Sequence, residues 1–218
     1  MKNLISDIKR TCKVPLKFHW SAIILPLIFI YTLGFKMGII LGLMLFSSLL
    51  FHEYAHVFMA IKQGVGAKSV TVFAMGAWAL LDPYTFIGKI DKQLKIAIAG
   101  PMASFFLGCV SLLLYFIFPN DIVANLFIIN IMLCLFNLLP IFPMDGGRVL
   151  NSILSERIGL HNGLEVSTII SYILSGIGGL IALYYSLIGL VIMAIVVSFL
   201  AYKERQQTLV ALEQLGFI

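Results

Sequence analysis

Two histidines and a glutamate stand in the middle of an apolar stretch of this 218-residue chain. His52, Glu53 and His56 form the pattern H-E-x-x-H within "KMGIILGLMLFSSLLFHEYAHVFMAIK", whose other charged residues are its two terminal lysines. Side chains four positions apart share one face of a helix, so both imidazoles can reach one metal ion. Zinc binds such nitrogens at about 2.0–2.1 Å, and the glutamate can pass a proton from the attacking water to a leaving amine. The pattern therefore predicts a zinc site with an acid–base carboxylate beside it.

The third zinc ligand has to come from elsewhere in the chain, since a catalytic zinc site uses three protein ligands and an open position. His19, at the start of the first predicted span, and His161, in a predicted loop, are better explained as interfacial polar residues. Asp145 is the only charged residue between Asp121 and Arg148, in an otherwise apolar tract. We therefore predict Asp145 as the third ligand.

The segment that precedes Asp145, "NLLPIFPM", is predicted to interrupt a helix. Pro140 and Pro143 lack the backbone donor that a helix needs, and Gly146 with Gly147 lets the chain turn. A broken helix at membrane depth usually lines a site or a wet cavity. The break is thus consistent with a functional role for Asp145.

The composition is typical of a membrane protein. The chain is 61% hydrophobic and 11% charged, whereas soluble domains carry about 25% charged residues. A charge at the centre of a spanning helix is unfavourable by about 2.5–3.5 kcal/mol, and a metal site gives Glu53 a reason to be there. The net charge of +5 forms no continuous basic patch, so nucleic acid is not an expected partner. The three cysteines lie far apart and predict neither a disulfide framework nor a thiolate zinc site.

Hydropathy predicts an all-α polytopic membrane protein with about six transmembrane helices, in a single domain over residues 1–218. The arrangement puts every lysine and arginine except Lys36 on one side, as the positive-inside rule expects of the cytoplasmic side. Both termini are therefore predicted to be cytoplasmic, with an uncleaved first span, and His56 and Asp145 fall near the cytoplasmic ends of two spans that run the same way. The spans are predicted at about residues 18–35, 37–62, 93–118, 122–148 (the broken fourth helix), 167–185 and 187–202, the last two joined by a turn near Gly189.

Residues 67–81, "AKSVTVFAMGAWALL", carry β-branched and aromatic residues at near-alternating positions. With the interruption at Gly76, this pattern favours a short membrane-associated β-hairpin over a further span. Open strand edges cannot face lipid, so the hairpin is expected to lie against protein or a wet cavity.

Taken together, "HEYAH" and "NLLPIFPMDGG" resemble the two signatures of the site-2 protease family of intramembrane zinc metalloproteases. "AIAGPMAS", residues 97–104, is similar to that family's alanine-glycine-proline element in the third span. The resemblance covers roughly residues 48–152, and it places the catalytic core at about residues 37–152. It implies one zinc ion per chain held by His52, His56 and Asp145, with Glu53 as the catalytic base and acid.

The resemblance also implies an activity: hydrolysis of a peptide bond within or next to a transmembrane segment of a membrane-anchored protein, as in regulated intramembrane proteolysis. That substrate and the lipid bilayer are the partners it implies. Asn137 matches the asparagine before the family's proline-rich break, where it either orients substrate and stabilises the oxyanion or caps broken backbone as a buried amide. The hairpin around Phe73 to Leu80 matches the family's β element, which either pairs with an unwound substrate segment or only packs.

The chain departs from the family pattern in two places. Ser104 stands where many relatives have asparagine, and "AMGAWA" has one glycine where a pair is common. Neither a PDZ module nor an appended nucleotide-sensing domain is expected, and on this basis the chain resembles the compact bacterial and archaeal members most. A multi-pass protein of a prokaryotic cell (inner) membrane is expected on this basis.

Two other functions account for parts of the pattern. One is a membrane zinc protease of another H-E-x-x-H type, which takes a glutamate as third ligand and cuts outside the bilayer. Glu156 and Glu165, in a predicted loop, and Glu204, near the C-terminus, lie outside the predicted spans and disfavour it. The other is a non-enzymatic membrane scaffold, which has no need of both histidines, the aspartate and the glutamate together.

Overall fold

The computed structural model describes residues 2–73, 76–82, 85 and 87–217, most of which are helical. The chain divides into two compact units, one of Met1–Asp82 with Ala99–Leu135 and one of Pro83–Ile98 with Phe136–Ile218. The single domain expected over residues 1–218 stays a prediction. In chain order the elements are α1 (Lys2–Thr11), β1 (Leu16–Phe18), a 3-10 helix (Trp20–Ile23), α2 (Ile24–Leu33), α3 (Phe35–Lys62), β2 (Ala67–Phe73), β3 (Gly76–Leu81), α4 (Ile90–Ile117), α5 (Asp121–Asn137), α6 (Asp145–Ile158), α7 (Leu160–Tyr184) and α8 (Ile188–Gln214).

Three helices in the described part of the chain, α3, α4 and α7, are long and apolar enough to cross a membrane. Two other apolar helical stretches, Trp20–Leu33 and Asp121–Asn137, are shorter. Helix α8 is long, but its apolar part ends at the charged residues Lys203, Glu204 and Arg205. The structure therefore supports a largely helical protein with three candidate spans among these residues, and the prediction of six is not confirmed.

The first unit contains a small sheet, which has three strands in the order β1-β2-β3 among the residues described. Strands β2 and β3 form the predicted antiparallel pair, whereas Ala74 and Met75 between them lie outside the described residues. Strand β1 pairs with β2 in parallel, with Leu16 opposite Val70. The sequence did not predict β1 because three residues are too few to show a strand period. The predicted pairing of β2 with β3 is thus confirmed, and the strand that the prediction lacked is β1.

The sheet packs on helix α3 through a small apolar core. Val57 of α3, Val70 of β2 and Ala79 of β3 are buried together with Val14. The Tyr54 hydroxyl also donates a hydrogen bond to the backbone carbonyl oxygen of Val14 at 3.2 Å. These contacts fix the sheet against the helical turns that carry the H-E-x-x-H pattern.

In the second unit the predicted helix break lies between α5 and α6. Helix α5 ends at Asn137 and α6 begins at Asp145, so residues 138–144 are non-helical as predicted. A cis peptide bond joins Phe142 to Pro143 in this segment. The Phe142 side chain is buried, and its backbone N–H donates to Oγ of Ser171 at 2.9 Å. This hydrogen bond anchors the break to helix α7.

The two glycines that follow Asp145 lie inside the first turn of α6. A Cβ on Gly146 would overlap the carbonyl oxygens of Leu138 and Leu139. A Cβ on Gly147 would lie 2.6 Å from the backbone nitrogen of Phe142. The expectation that these glycines let the chain turn is therefore wrong, since they are needed for the close packing of the break segment against the helix that Asp145 begins.

Candidate metal centre

In the H-E-x-x-H pattern, the Nε2 atom of each histidine points toward the Nε2 atom of the other. His52 and His56 lie one turn apart on α3, and both are buried. Their Nε2 atoms are 3.2 Å apart. Two nitrogens bound to one zinc ion at about 2.0–2.1 Å in tetrahedral geometry would lie about 3.3–3.4 Å apart. The pair therefore has the spacing of two ligands of a single metal ion.

Ser104 holds the ring of His52 from the side opposite Nε2. Its Oγ lies 2.9 Å from Nδ1 of His52, and Ser104 is completely buried. When Nε2 of a neutral imidazole binds a metal, Nδ1 carries the proton and donates it to such a partner. The Ser104 hydroxyl can thus accept from Nδ1–H in the tautomer in which Nε2 of His52 can be a ligand.

Gly100 keeps space open next to both imidazoles. A Cβ built on Gly100 would overlap Nε2 of His56 and lie 2.5 Å from Nε2 of His52. Gly100 and Ser104 are one turn apart on helix α4, so the same face of that helix supplies the space and the hydrogen-bond partner. Both belong to "AIAGPMAS", and this is what that element does at the site.

Glu53 is positioned by the sheet. The backbone N–H of Ala79, on β3, donates to Oε2 of Glu53 at 2.9 Å. Because β3 packs on α3 through the core that contains Ala79 itself, the donor is held at a fixed place relative to the helix. The carboxylate next to His52 is therefore held by a backbone donor of the sheet.

Asp145 is the first residue of helix α6 and is buried. A carboxylate at this end of a helix is favoured by the partial positive charge of the unpaired N–H groups. The close packing of Gly146 and the anchoring of Phe142 determine where this helix begins. The start of α6 thus gives the Asp145 carboxylate a defined position within the second unit.

Among the residues that the structure describes, the predicted ligands His52 and His56 belong to the first unit and Asp145 to the second. Two imidazole nitrogens and a carboxylate oxygen are a donor set that zinc accepts. The assignment of all three as ligands of one zinc ion stays a prediction.

The chain is similar to known proteins of one family. Residues 119–183 match the family described as peptidase family M50. The solved structure of a site-2 protease from Methanocaldococcus jannaschii matches with a TM-score of 0.71 and 32% sequence identity, covering 88% of this chain and 91% of that one. The chain belongs to peptidase family M50, the site-2 proteases. With this membership and its apolar helices, it is an integral membrane protein.

Curated relatives of this M50 chain are longer than the chain itself. A zinc metalloprotease of Methanocaldococcus jannaschii is 33% identical over 204 residues, which make up 89% of this chain and 57% of that protein. A Synechocystis protein named as a candidate zinc metalloprotease is 37% identical over 131 residues, 58% of this chain and 34% of its own length. The chain thus spans between about a third and three fifths of these relatives.

The other ionisable residues considered as third ligands have different surroundings in this M50 chain. His19 precedes the 3-10 helix, and its Nδ1 lies 2.8 Å from Oγ of Ser21. Glu165 lies in helix α7 and not in a loop, and its carboxylate accepts hydrogen bonds of 2.5–3.1 Å from Nε and Nη2 of Arg205. This hydrogen bonding raises the pKa of the Arg205 guanidinium. Glu165 is thus already used in an ion pair.

The structure also describes three other residues considered in the sequence analysis: His161, Glu156 and Asn137. His161 lies in the first turn of α7 and Glu156 in α6, so both are helical where a loop was predicted. Asn137 is the last residue of α5 and is half-buried. Its position, directly before the break, is the predicted one, and the role assigned to it stays a prediction.

Sequence reasoning missed two contributors to the site. From the sequence, Ser104 is only a departure from the family pattern. It lies four residues after Gly100, however, so the two residues share one face of a helix. That spacing is a usable signal once a metal site on the neighbouring span is suspected. Ala79 acts through its backbone N–H, for which the sequence carries no signal at all.

Replacing Ser104 by alanine is expected to lower zinc affinity by about 10–100-fold, the usual effect of losing an outer partner of a histidine ligand. Zinc affinity of the purified chain, measured by competition with a chromogenic chelator, checks this. Ser111→Ala is the matched control, because Ser111 is also fully buried on α4 but bonds its own helix, at the carbonyl oxygen of Leu107. Equal affinities for the two variants would contradict a role for Ser104 in holding His52.

Proposed function

We propose that this chain is a zinc-dependent membrane protease that cleaves a peptide bond within or next to a transmembrane segment of a membrane-anchored protein. The observation that carries the proposal is that Nε2 of His52 and Nε2 of His56, both buried, lie 3.2 Å apart. Glu53, which lies between these histidines in the sequence, accepts a hydrogen bond from the backbone of the sheet. These groups lie on α3, a helix long and apolar enough to cross a membrane. Because ionisable groups are energetically unfavourable in a membrane, a buried metal site on such a helix is better explained by catalysis than by a contribution to stability.

We assign His52, His56 and Asp145 as the residues that hold one zinc ion. The donor set, the spacing of the imidazole nitrogens and the space kept by Gly100 all fit such an ion. Bound zinc supplies a Lewis acid that polarises the scissile carbonyl and makes water a better nucleophile. In the ligating tautomer, Nδ1–H of His52 would donate to Oγ of Ser104, which supports this role for His52.

Glu53 moves the proton in this proposal. Its carboxylate takes a proton from the attacking water and delivers it to the nitrogen of the leaving amine, so one group serves as base and then as acid. The N–H of Ala79 holds Oε2 of Glu53 in place during both transfers. Asn137 is assigned to orient the substrate or to donate a hydrogen bond to the developing oxyanion, because it stands directly before the break that leads to Asp145.

The membrane arrangement we propose has six spans and both termini in the cytoplasm of a prokaryotic cell. The shorter helices α2 and α5 and the apolar part of α8 would be the three further spans, in a thinned or locally covered part of the bilayer. The distribution of lysine and arginine supports this orientation. A substrate helix must unwind before attack, because its own hydrogen bonds shield the scissile peptide.

The full chain, reconstituted into liposomes with a single-span test protein that has a glycine-proline pair in its span, tests this proposal. We expect a product whose new terminus, found by mass spectrometry, lies within or beside the span. A zinc chelator should abolish the cleavage and added zinc should restore it. The matched control is the same test span with leucines in place of the glycine-proline pair, which should resist cleavage.

Two outcomes would count against the proposal. Cleavage that survives chelation would rule out a zinc site as its origin. Cleavage confined to soluble segments far from the span would favour the other type of H-E-x-x-H membrane protease, which cuts outside the bilayer.

A further inference from the structure

The outer edge of strand β3 faces the H-E-x-x-H helix with a backbone donor. Strand β3 is the last strand in the order β1-β2-β3. Its Ala79 N–H donates to Oε2 of Glu53 at 2.9 Å, so this donor is not part of the pairing with β2. The contact is between an edge strand and the residue that we assign to proton transfer.

The strand register explains why this donor points outward. Val70 and Val72 of β2 use their backbone groups toward β1, since Val70 N–H donates to Pro15 and the Val72 carbonyl accepts from His19. Backbone groups alternate sides along a strand. Ala79, which is opposite Val70, therefore directs its N–H away from β2. The direction of this donor is a consequence of the register of the sheet.

Burial makes the donor rigid. Ala79 is 7% exposed and packs with Val57 of α3 and with Val70 in one core. A hydrogen bond between a backbone donor in such a core and a carboxylate resists rotation of the side chain. A carboxylate has about four lone-pair sites, so accepting this bond leaves it able to receive a proton.

We propose that the backbone N–H of Ala79 is a positioning group for Glu53, so that the edge of β3 orients the proton-transferring carboxylate. This inference rests on the proposed function for the role of Glu53. It also has a consequence for substrate binding, because an added strand cannot use this donor while Glu53 holds it. At Ala79 the edge of β3 donates its backbone N–H to Glu53. A substrate strand would therefore have to pair with backbone groups at other positions of this edge.

A first experiment examines the hydrogen bond without using activity. The full chain, labelled with 15N-alanine, is placed in detergent micelles, and amide hydrogen exchange at Ala79 is followed by NMR. Glu53→Ala removes the acceptor and is expected to speed exchange at Ala79 by roughly tenfold or more, as loss of a hydrogen bond to a charged group implies. Glu53→Gln keeps an acceptor oxygen and should keep most of the protection. Ala77, two residues away on the same edge, is the control amide and should be unchanged.

A second experiment tests the catalytic role. Incorporating lactic acid at position 79 replaces the N–H by an ester oxygen and leaves the side chain as it is. With the single-span test protein as substrate, kcat is expected to fall by roughly tenfold or more, with KM within about twofold and zinc content unchanged. The same replacement at position 77 is the control and should leave kcat near the wild-type value.

The outcomes separate this inference from the proposed function. Unchanged exchange at Ala79 in Glu53→Ala, or unchanged kcat for the ester at position 79, would overturn the positioning role. A rise in KM with constant kcat would also overturn it, and would assign the donor to substrate pairing instead. Failure of the proposed function would appear in the wild type, as absence of cleavage, while the exchange result at Ala79 would still stand.

Discussion

The Glu53→Gln variant is expected to bind zinc as the wild type does and to cleave its substrate at least about a hundredfold more slowly, within the 10²–10⁴-fold that proton transfer by a positioned side chain contributes. Glutamine has the same size and keeps an oxygen that accepts the hydrogen bond from Ala79, so the site should stay assembled. It cannot take a proton from water at neutral pH, so the transfer to the leaving amine is lost. Turnover of the single-span test protein and zinc content of the same preparation measure the two effects.

The control for this variant is Glu156→Gln. Glu156 is an exposed glutamate of helix α6, so the same change of charge is made far from α3 in sequence and on the surface. We expect its turnover to equal that of the wild type. If Glu53→Gln cleaved at the wild-type rate, another group would have to be the base, and the assignment of Glu53 would be wrong.

The prediction of the ligand set rests on a local sequence signal at each candidate residue. His52 and His56 are related by helical spacing, and a helix places such side chains on one face whatever surrounds it. Asp145 is the one charge in a long apolar tract with two prolines before it. Charges are unfavourable in such tracts, so the residue that remains charged there marks a function.

The parts that could not be predicted depend on contacts between distant segments. Strand β1 exists because Leu16 to Phe18 lies next to β2 in the fold, not because of its own pattern. Gly146 was read as a point of flexibility, whereas the structure places it in a helix against Leu138 and Leu139. A glycine that permits a turn and one that permits close packing look the same in sequence.

The prediction of six spans is not confirmed by helix length, for a related reason. Mean hydropathy is averaged over a window of residues, so it does not show at which residue a helix ends. Helix α2 has only ten residues and is preceded by a 3-10 turn, and α5 stops at the break after Asn137. These ends are set by backbone geometry, so apolar composition alone does not give the lengths of these helices. Three helices meet the length requirement in the described part of the chain.

The Asp145→Asn variant is expected to lose most of its bound zinc. Asparagine matches aspartate in size and keeps the packing of the α6 N-terminus, but it removes the only carboxylate of the proposed ligand set. Zinc affinity should fall by more than the 10–100-fold that follows loss of an outer-sphere partner, because a direct ligand is removed. Competition with a chelator of known affinity measures this, and cleavage of the test protein should fall in parallel when zinc is limiting.

Glu165→Gln is the variant that decides between the two kinds of H-E-x-x-H site. A site that used a glutamate as third ligand would lose zinc on this change and keep it in Asp145→Asn. We expect the reverse, because the Glu165 carboxylate is hydrogen-bonded to Arg205, and its loss should weaken the contact of α7 with α8 without affecting zinc. Thermal unfolding of Glu165→Gln shows whether the ion pair was stabilising, and its zinc affinity, read separately, shows whether Asp145 or Glu165 completes the metal site.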